Sequence, residues 1–174
     1  TGRIIINSST PNIIIQGSSG TAANMTGSRN IIMGEETAHD ITSGHNNNIL
    51  GFEAGYNLTT GAHNNIMGYH AGGGPDEVNN ITGSGYNNIF GREAGYSITT
   101  GACNNIFGYE AGRAITTGGY NNIFGRLAGY SLTTGNYNNI MGAEAGKKLT
   151  TGNDNNIMGF RAAYAGVMTG NGYN

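Results

Sequence analysis

The chain has 174 residues, a formal charge of −2 at pH 7 and only 10% charged residues. A balance this close to neutral gives no indication of a nucleic-acid partner or of an anionic membrane surface. No apolar run approaches the ~18 consecutive residues of a membrane span, and a single cysteine excludes an intrachain disulfide framework. Glycine, with 32 residues, far exceeds its usual share of about 7%, which argues against a helical fold.

The N-terminal segment, residues 1–29, contains two isoleucine-rich runs, RIII at 3–6 and NIII at 12–15. Apolar runs this continuous are typical of strands that are buried on both faces. Their spacing, nine positions from start to start, differs from the period of the remaining chain. We therefore predict that residues 1–29 form a strand-rich shaft or cap, and that residues 30–174 form a separate repeat domain.

From residue 30 onward the chain repeats the pattern NNI, a large apolar residue, then G-x-x-A-G. Its reference isoleucines recur with a period of 17, interrupted by one interval of 23: Ile32, Ile49, Ile66, Ile89, Ile106, Ile123, Ile140 and Ile157. A fixed period of this length indicates a solenoid. Because glycine recurs about every four residues, a helix is disfavoured, and we predict an all-β fold, a parallel β-solenoid of about eight 17-residue coils.

Each coil is predicted to contain two short strands, NNIF and YSLTT, joined by glycine turns at G-x-x-A-G and at TTG. Stacked coils would align equivalent residues ~4.8 Å apart, with the asparagine amides hydrogen-bonded along the stack. The six extra residues of the 23-residue interval predict an insertion loop at 73–80. The chain ends within a further copy, MTGNGYN, so we expect the repeats to continue beyond residue 174.

In every repeat the isoleucine is followed by a second large apolar residue. Neighbours in a strand face opposite sides of the sheet, so the two cannot share one core. A monomer would expose one of them as a long apolar stripe. We therefore predict a parallel homotrimer, in which one ladder fills the coil and the other packs against partner chains. The two ladders comprise Ile49, Leu50, Ile66, Met67, Ile89, Phe90, Ile106, Phe107, Ile123, Phe124, Ile140, Met141, Ile157 and Met158.

The repeat TTGxYNNIFGxxAGYSL resembles the asparagine- and glycine-rich repeats of bacteriophage tail fibres. It is also similar to the head repeats of trimeric autotransporter adhesins, which are left-handed parallel β-rolls in parallel homotrimers. Over residues 30–174 the resemblance implies a rigid trimeric fibre of a virion that supports attachment to a host receptor, with other tail or baseplate proteins as partners. The alternative that it implies is the head of a trimeric adhesin on a bacterial surface. The period of this chain is longer than the adhesin coil.

No catalytic or metal-binding constellation, and no cofactor, is predicted. The four histidines lack the spacing of metal ligands, both among themselves and with Cys103, which occupies a tyrosine position of the repeat. We therefore do not expect an enzyme. The acids Glu53, Glu93, Glu110 and Glu144 share one turn position, which indicates copies on a ladder rather than an acid–base pair. We expect Arg92 and Arg126 to pair with glutamates of adjacent coils.

Six of the ten tyrosines occur at two positions of the repeat. Tyr86, Tyr120 and Tyr137 precede the asparagine pair, and Tyr56, Tyr96 and Tyr130 follow the AG dipeptide. One interpretation is packing over the turns, with cation–π contacts to neighbouring cations. The alternative is a stacking surface for the sugar rings of a host glycan.

The paired threonines suggest a remote third function, ice binding. Flat solenoid faces with threonine ladders can serve this purpose, and Thr99, Thr116, Thr133 and Thr150 recur with the period of the coils. However, adjacent threonines of a strand would face opposite sides, which disfavours a flat double row.

Overall fold

The computed structural model describes the backbone of residues 3–7, together with residues 11–16, 25–74, 82 and 85–164. The predicted insertion loop lies outside these ranges beyond residue 74. Every regular element in them is a strand: β1 (Arg3–Asn7), β2 (Asn12–Gln16), β3 (Ile31–Gly34), β4 (Asn48–Leu50), β5 (Asn65–Met67), β6 (Asn88–Phe90), β7 (Asn105–Phe107), β8 (Asn122–Phe124), β9 (Asn139–Met141) and β10 (Asn156–Met158).

The ten strands form one sheet, in which they follow each other in chain order. β1 and β2 pair in antiparallel orientation, and every later pair is parallel. The register never shifts, so that Ile106 lies beside Ile89 on one side and beside Ile123 on the other. The predicted all-β parallel solenoid of about eight 17-residue coils is thereby confirmed.

Each repeat strand is short because the backbone turns sharply before and after it. In the coil of β7, Cys103 has a φ of 59° and Gly108 a φ of 138°. The second value lies in a region that only glycine adopts readily. A Cβ on Gly108 would also lie 2.6 Å from the carbonyl oxygen of Gly125 in the next coil. This glycine therefore ends the strand and allows the coils to stack closely.

The prediction of a second strand at YSLTT is wrong, since residues 96–100 form turns and bends. The apolar residue of this segment is buried all the same, because a tight turn directs it inward. In one coil the Ile115 amide donates to the Gly112 carbonyl at 3.1 Å. The residues at this position, all 0–2% exposed, are Leu58, Ile98, Ile115, Leu132 and Leu149.

The continuous run NIII predicted burial on both faces, but the isoleucines of β2 are buried on one face only. Along β2, Ile14 is buried, whereas Ile13 and Ile15 are 44% and 37% exposed. The reason is that β2 pairs directly with β3 and so joins a sheet with only one face toward the core. The β1–β2 hairpin therefore extends the solenoid sheet at its N-terminal end.

Buried asparagines fill the polar corner of every coil. Asn121 Nδ2 donates to the Gly135 carbonyl at 2.9 Å and to Asn104 Oδ1 at 3.1 Å. Asn121 Oδ1 accepts the backbone and side-chain N–H groups of Asn138, both at 3.0 Å. The row, which we call the inner asparagine row, comprises Asn30, Asn47, Asn64, Asn87, Asn104, Asn121, Asn138 and Asn155. It satisfies backbone groups that the turns would otherwise leave unpaired in the core.

The glycine of TTG is required for contact between coils. A Cβ on Gly118 would lie 2.4 Å from the Gly135 carbonyl oxygen, a backbone atom that cannot move independently of its coil. We expect Gly118→Ala to destabilise the chain by about 1–3 kcal/mol through this overlap. Urea unfolding would measure it, with the exposed Thr117→Ala as the control. Equal midpoints for the two variants would contradict this account of the stacking.

Candidate functional site

The side chains on the outward face of the sheet form two parallel rows. The isoleucines of the repeat point inward and are 0–7% exposed, whereas the residue after each of them points outward. The outer apolar row comprises Ile15, Met33, Leu50, Met67, Phe90, Phe107, Phe124, Met141 and Met158. The outer asparagine row comprises Asn48, Asn65, Asn88, Asn105, Asn122, Asn139 and Asn156, and it continues onto β3 and β2 as Ile31 and Ile13. No residue in either row is charged.

The outer apolar row is ordered along its length by contacts between coils. The ring of Phe107 is stacked on those of Phe90 and Phe124, with centroids 4.8 and 4.9 Å apart and planes 9° from parallel. From β2 to β10 the row runs about 38 Å, and strands three residues wide give the face an area of about 400 Å². The outer apolar row is the apolar part of this face, and a contiguous exposed apolar patch is often a functional surface in soluble proteins.

The outer asparagine row satisfies much of its hydrogen bonding within the chain. The amide of Asn48 donates to Asn65 Oδ1 at 2.8 Å, and the same bond recurs coil by coil as far as Asn122. All four bonds run in the same direction along the stack. Because these amides are already paired, covering them with another apolar surface costs less free energy than covering free amides. The whole outward face is therefore suited to be buried.

A second set of side chains, most of them exposed, lies two residues before each strand. We call it the tyrosine–histidine row: His63, Tyr86, Cys103, Tyr120 and Tyr137. Its three tyrosines are 55–63% exposed. His63 is stacked on Tyr86 with centroids 4.7 Å apart, and Tyr120 on Tyr137 at 4.9 Å. The stacked rings cover each other's faces, so that ring edges and hydroxyl groups are presented outward.

Cys103 stands between these two stacked pairs and contacts one of them. Charge on its thiolate, followed by a hydrogen bond between the two side chains, raises the pKa of Tyr120 above its ordinary value. The thiol is half-buried and has no disulfide partner in the described part of the chain. Cys103 therefore takes the place of an aromatic ring at the middle position of the five-residue row.

Of the tyrosines that follow AG, Tyr96 cannot serve as a sugar contact, and that prediction is corrected. Only 5% of Tyr96 is exposed. The Arg113 guanidinium lies 4.7 Å from its ring centroid, and a Cβ on Gly74 would lie 2.5 Å from the ring. The first interpretation, packing over a turn with a cation–π contact, describes Tyr96. Tyr130, at the equivalent position, is half-buried.

A third row, not anticipated from the sequence, lies two residues after each strand. We call it the arginine–aromatic row: Phe52, Tyr69, Arg92, Tyr109 and Arg126. Arg92 lies 5.5 and 5.3 Å from the ring centroids of Tyr69 and Tyr109, and its Nη1 donates to the Tyr109 hydroxyl at 2.7 Å. Arg126 lies 5.9 Å from the Tyr109 ring on its other side. From Tyr69 to Arg126, aromatic residues and arginines alternate at this repeat position in the sequence, and that alternation could have indicated the row.

The glutamates beside this row are held by arginines. Arg126 and Arg161 both approach Glu144, at 3.4 and 3.0 Å. Arg92 pairs with Glu93 of its own coil at 2.8 Å rather than with a glutamate of an adjacent coil. Arg113 of the following coil reaches the same Glu93 at 3.0 Å.

Glu53 has a histidine partner in the next coil, with His70 Nε2 2.7 Å from its Oε2. Glu53, Glu93 and Glu144 thus each lie within ion-pair distance of a side chain in an adjacent coil. No group of three acidic, histidine or cysteine side chains among the described residues could hold a metal ion. The same ranges contain no helix that is long and apolar enough to cross a bilayer.

Comparison with known proteins finds no matching family model, no matching curated protein and no matching solved structure.

Proposed function

We propose that the chain is a structural segment of a virion tail fibre, in which parallel copies form a rigid homotrimer that supports attachment to a host receptor. The observation that carries the proposal is the uncharged outward face, with its continuous outer apolar row. A monomer would leave this row in water along its whole length. Closed rotational assembly is the usual way in which identical chains bury such a surface.

Stiffness, the property that a fibre requires, is supported by the bonding between coils. Each coil is joined to the next by backbone hydrogen bonds in the sheet, by others in the turns, and by the two asparagine rows. Every coil contacts only its neighbours, so length increases in proportion to the number of coils. Repetition of this kind suits a spacer.

Assembly is tested by placing a charge in the centre of the outer apolar row. We expect the wild-type segment to sediment as a trimer and Phe107→Asp to sediment as a folded monomer, because burying an unpaired carboxylate is strongly unfavourable. Thr117→Asp, an exposed position outside the outward face, is the matched control and should remain trimeric. A wild-type chain that stays monomeric at micromolar concentration would exclude the proposal.

The place of the segment in a virion is tested separately. Antibodies raised against the purified segment should label the tail fibres of the source virus in immunogold electron microscopy. Labelling of a bacterial envelope in the absence of virus would instead support the surface adhesin.

The glycan contact is tested by Tyr120→Ala and Tyr137→Ala, since unchanged binding of these variants to host cells would exclude a role for the two tyrosines.

A further inference from the structure

Two exposed rows flank the outward face at opposite ends of its strands. The tyrosine–histidine row lies two residues before each strand, and the arginine–aromatic row lies two residues after it. In the coil of β7, Cys103 is on the first flank and Tyr109 on the second. The first flank is continuous with the face, because Arg29, at the equivalent position of an earlier coil, lines a groove of ≈ 340 Å³ together with Ile13 and Ile31.

The outward face alone is too narrow for a stable assembly. Its area of about 400 Å² is half of the roughly 800 Å² that each partner contributes to a standard interface. The flanking rows are the surfaces that can supply the rest. A second copy of the chain is the occupant that matches the face, since both faces would be uncharged, would carry an apolar row and would have the same length.

The relative direction of the copies decides which flanks meet. When parallel copies surround an axis, one flank of each copy lies against the opposite flank of its neighbour. When two copies pack face to face in antiparallel orientation, each flank meets its own equivalent. If such a pair is centred on β7, Arg92 of one copy lies opposite Arg126 of the other. The antiparallel arrangement therefore opposes like charges, and the parallel arrangement does not.

The two rows are chemically complementary in the parallel arrangement. The side chains of Arg92 and Arg126 are 49% and 61% exposed, and a guanidinium has more N–H donors than the contacts within the chain use. The opposite row offers the hydroxyl oxygens of Tyr86, Tyr120 and Tyr137, which can accept hydrogen bonds from arginine. Tyrosine and arginine are also the residue types enriched at the centres of interfaces.

We infer that neighbouring copies meet along a heterologous seam, in which the tyrosine–histidine row of one copy lies on the arginine–aromatic row of the next. This inference rests on the proposed parallel homotrimer and adds the identity of the rows through which its chains meet. In register, Cys103 of one copy faces Tyr109 of its neighbour, and it does not face the neighbour's Cys103.

The single native cysteine allows the seam to be tested by cross-linking. We expect Tyr109→Cys, treated with a short bismaleimide, to migrate as a covalent trimer on denaturing gels. The wild type, which carries Cys103 alone, should migrate as a monomer after the same treatment. Thr117→Cys, which adds a thiol outside both flanks, is the matched control and should not form covalent trimers. Arg92→Cys and Arg126→Cys lie one coil away on either side, and a higher yield from one of them would measure a stagger of about 4.8 Å.

The outcomes separate the seam from the assembly. Efficient cross-linking of wild-type Cys103 to itself, with no gain from the added thiol, would overturn the seam and indicate antiparallel packing. A trimer by sedimentation with no cross-link from any of the three flank variants would also overturn it, while leaving the homotrimer intact. Sedimentation of the wild type as a monomer would remove the proposed function itself. If Tyr109→Cys fails to fold, the two arginine variants carry the same test.

Discussion

Asn121→Leu is expected to lower the free energy of unfolding by about 2–6 kcal/mol, because it leaves two buried polar groups unsatisfied at about 1–3 kcal/mol each. The substitution removes the acceptor of the Asn138 backbone N–H and the donor to the Gly135 carbonyl. Leucine can replace none of these hydrogen bonds. Chemical unfolding followed by circular dichroism would measure the change.

The adjacent Asn122→Leu is the matched control for this prediction. Asn122 belongs to the outer asparagine row and accepts one bond, at 2.8 Å, from Asn105. The side chain is partly exposed, so water can replace that bond, and we expect a change of less than about 1 kcal/mol. A similar loss for the two variants would mean that the inner asparagine row does not have the structural role assigned to it.

Leu132→Ala is expected to destabilise the chain by about 2–5 kcal/mol, the range for truncating a large buried side chain and leaving a cavity. Leu132 is 0% exposed although it lies in a turn, where its amide donates to the Gly129 carbonyl at 3.0 Å. The measurement therefore tests whether buried side chains in the turns stabilise the chain as much as buried side chains in the strands do.

Ser131→Ala provides the comparison for Leu132→Ala. Ser131 precedes the leucine and is half-buried, and we expect its substitution to change stability by no more than about 0.5 kcal/mol. Thermal unfolding of both variants should be followed at one protein concentration, because assembly makes the melting temperature depend on concentration. Matching melting temperatures would show that the turn side of the coil contributes little to stability.

Much of the candidate site could be predicted from one pair of neighbouring residues. Ile106 and Phe107 are both apolar, and neighbours in a strand point to opposite faces, so one of them had to lie outside the coil. The sequence could not tell which of the two is inside. The structure places Ile106 inside at 0% exposure and Phe107 outside.

The flanking rows could not be predicted in the same way, because they lie in turns. A strand has a fixed alternation of side-chain directions, whereas a turn has none, and direction there depends on the φ of each residue. Tyr96 illustrates the difficulty, since it shares its repeat position with the half-buried Tyr130 and yet is covered. The arginine–aromatic row was missed for the same reason.

By itself, the sequence determined the period of the repeat, the parallel stacking and the opposed apolar ladders. These follow from spacing and from the alternation of side chains, which are properties of the chain alone. Only the tertiary structure decided that each coil has one repeat strand rather than two, that the second apolar residue is buried by a turn, and which tyrosines reach the surface. These features depend on hydrogen bonds and contacts between coils, such as the close approach of Gly108 to Gly125, and a repeat has them only when it lies beside its neighbour.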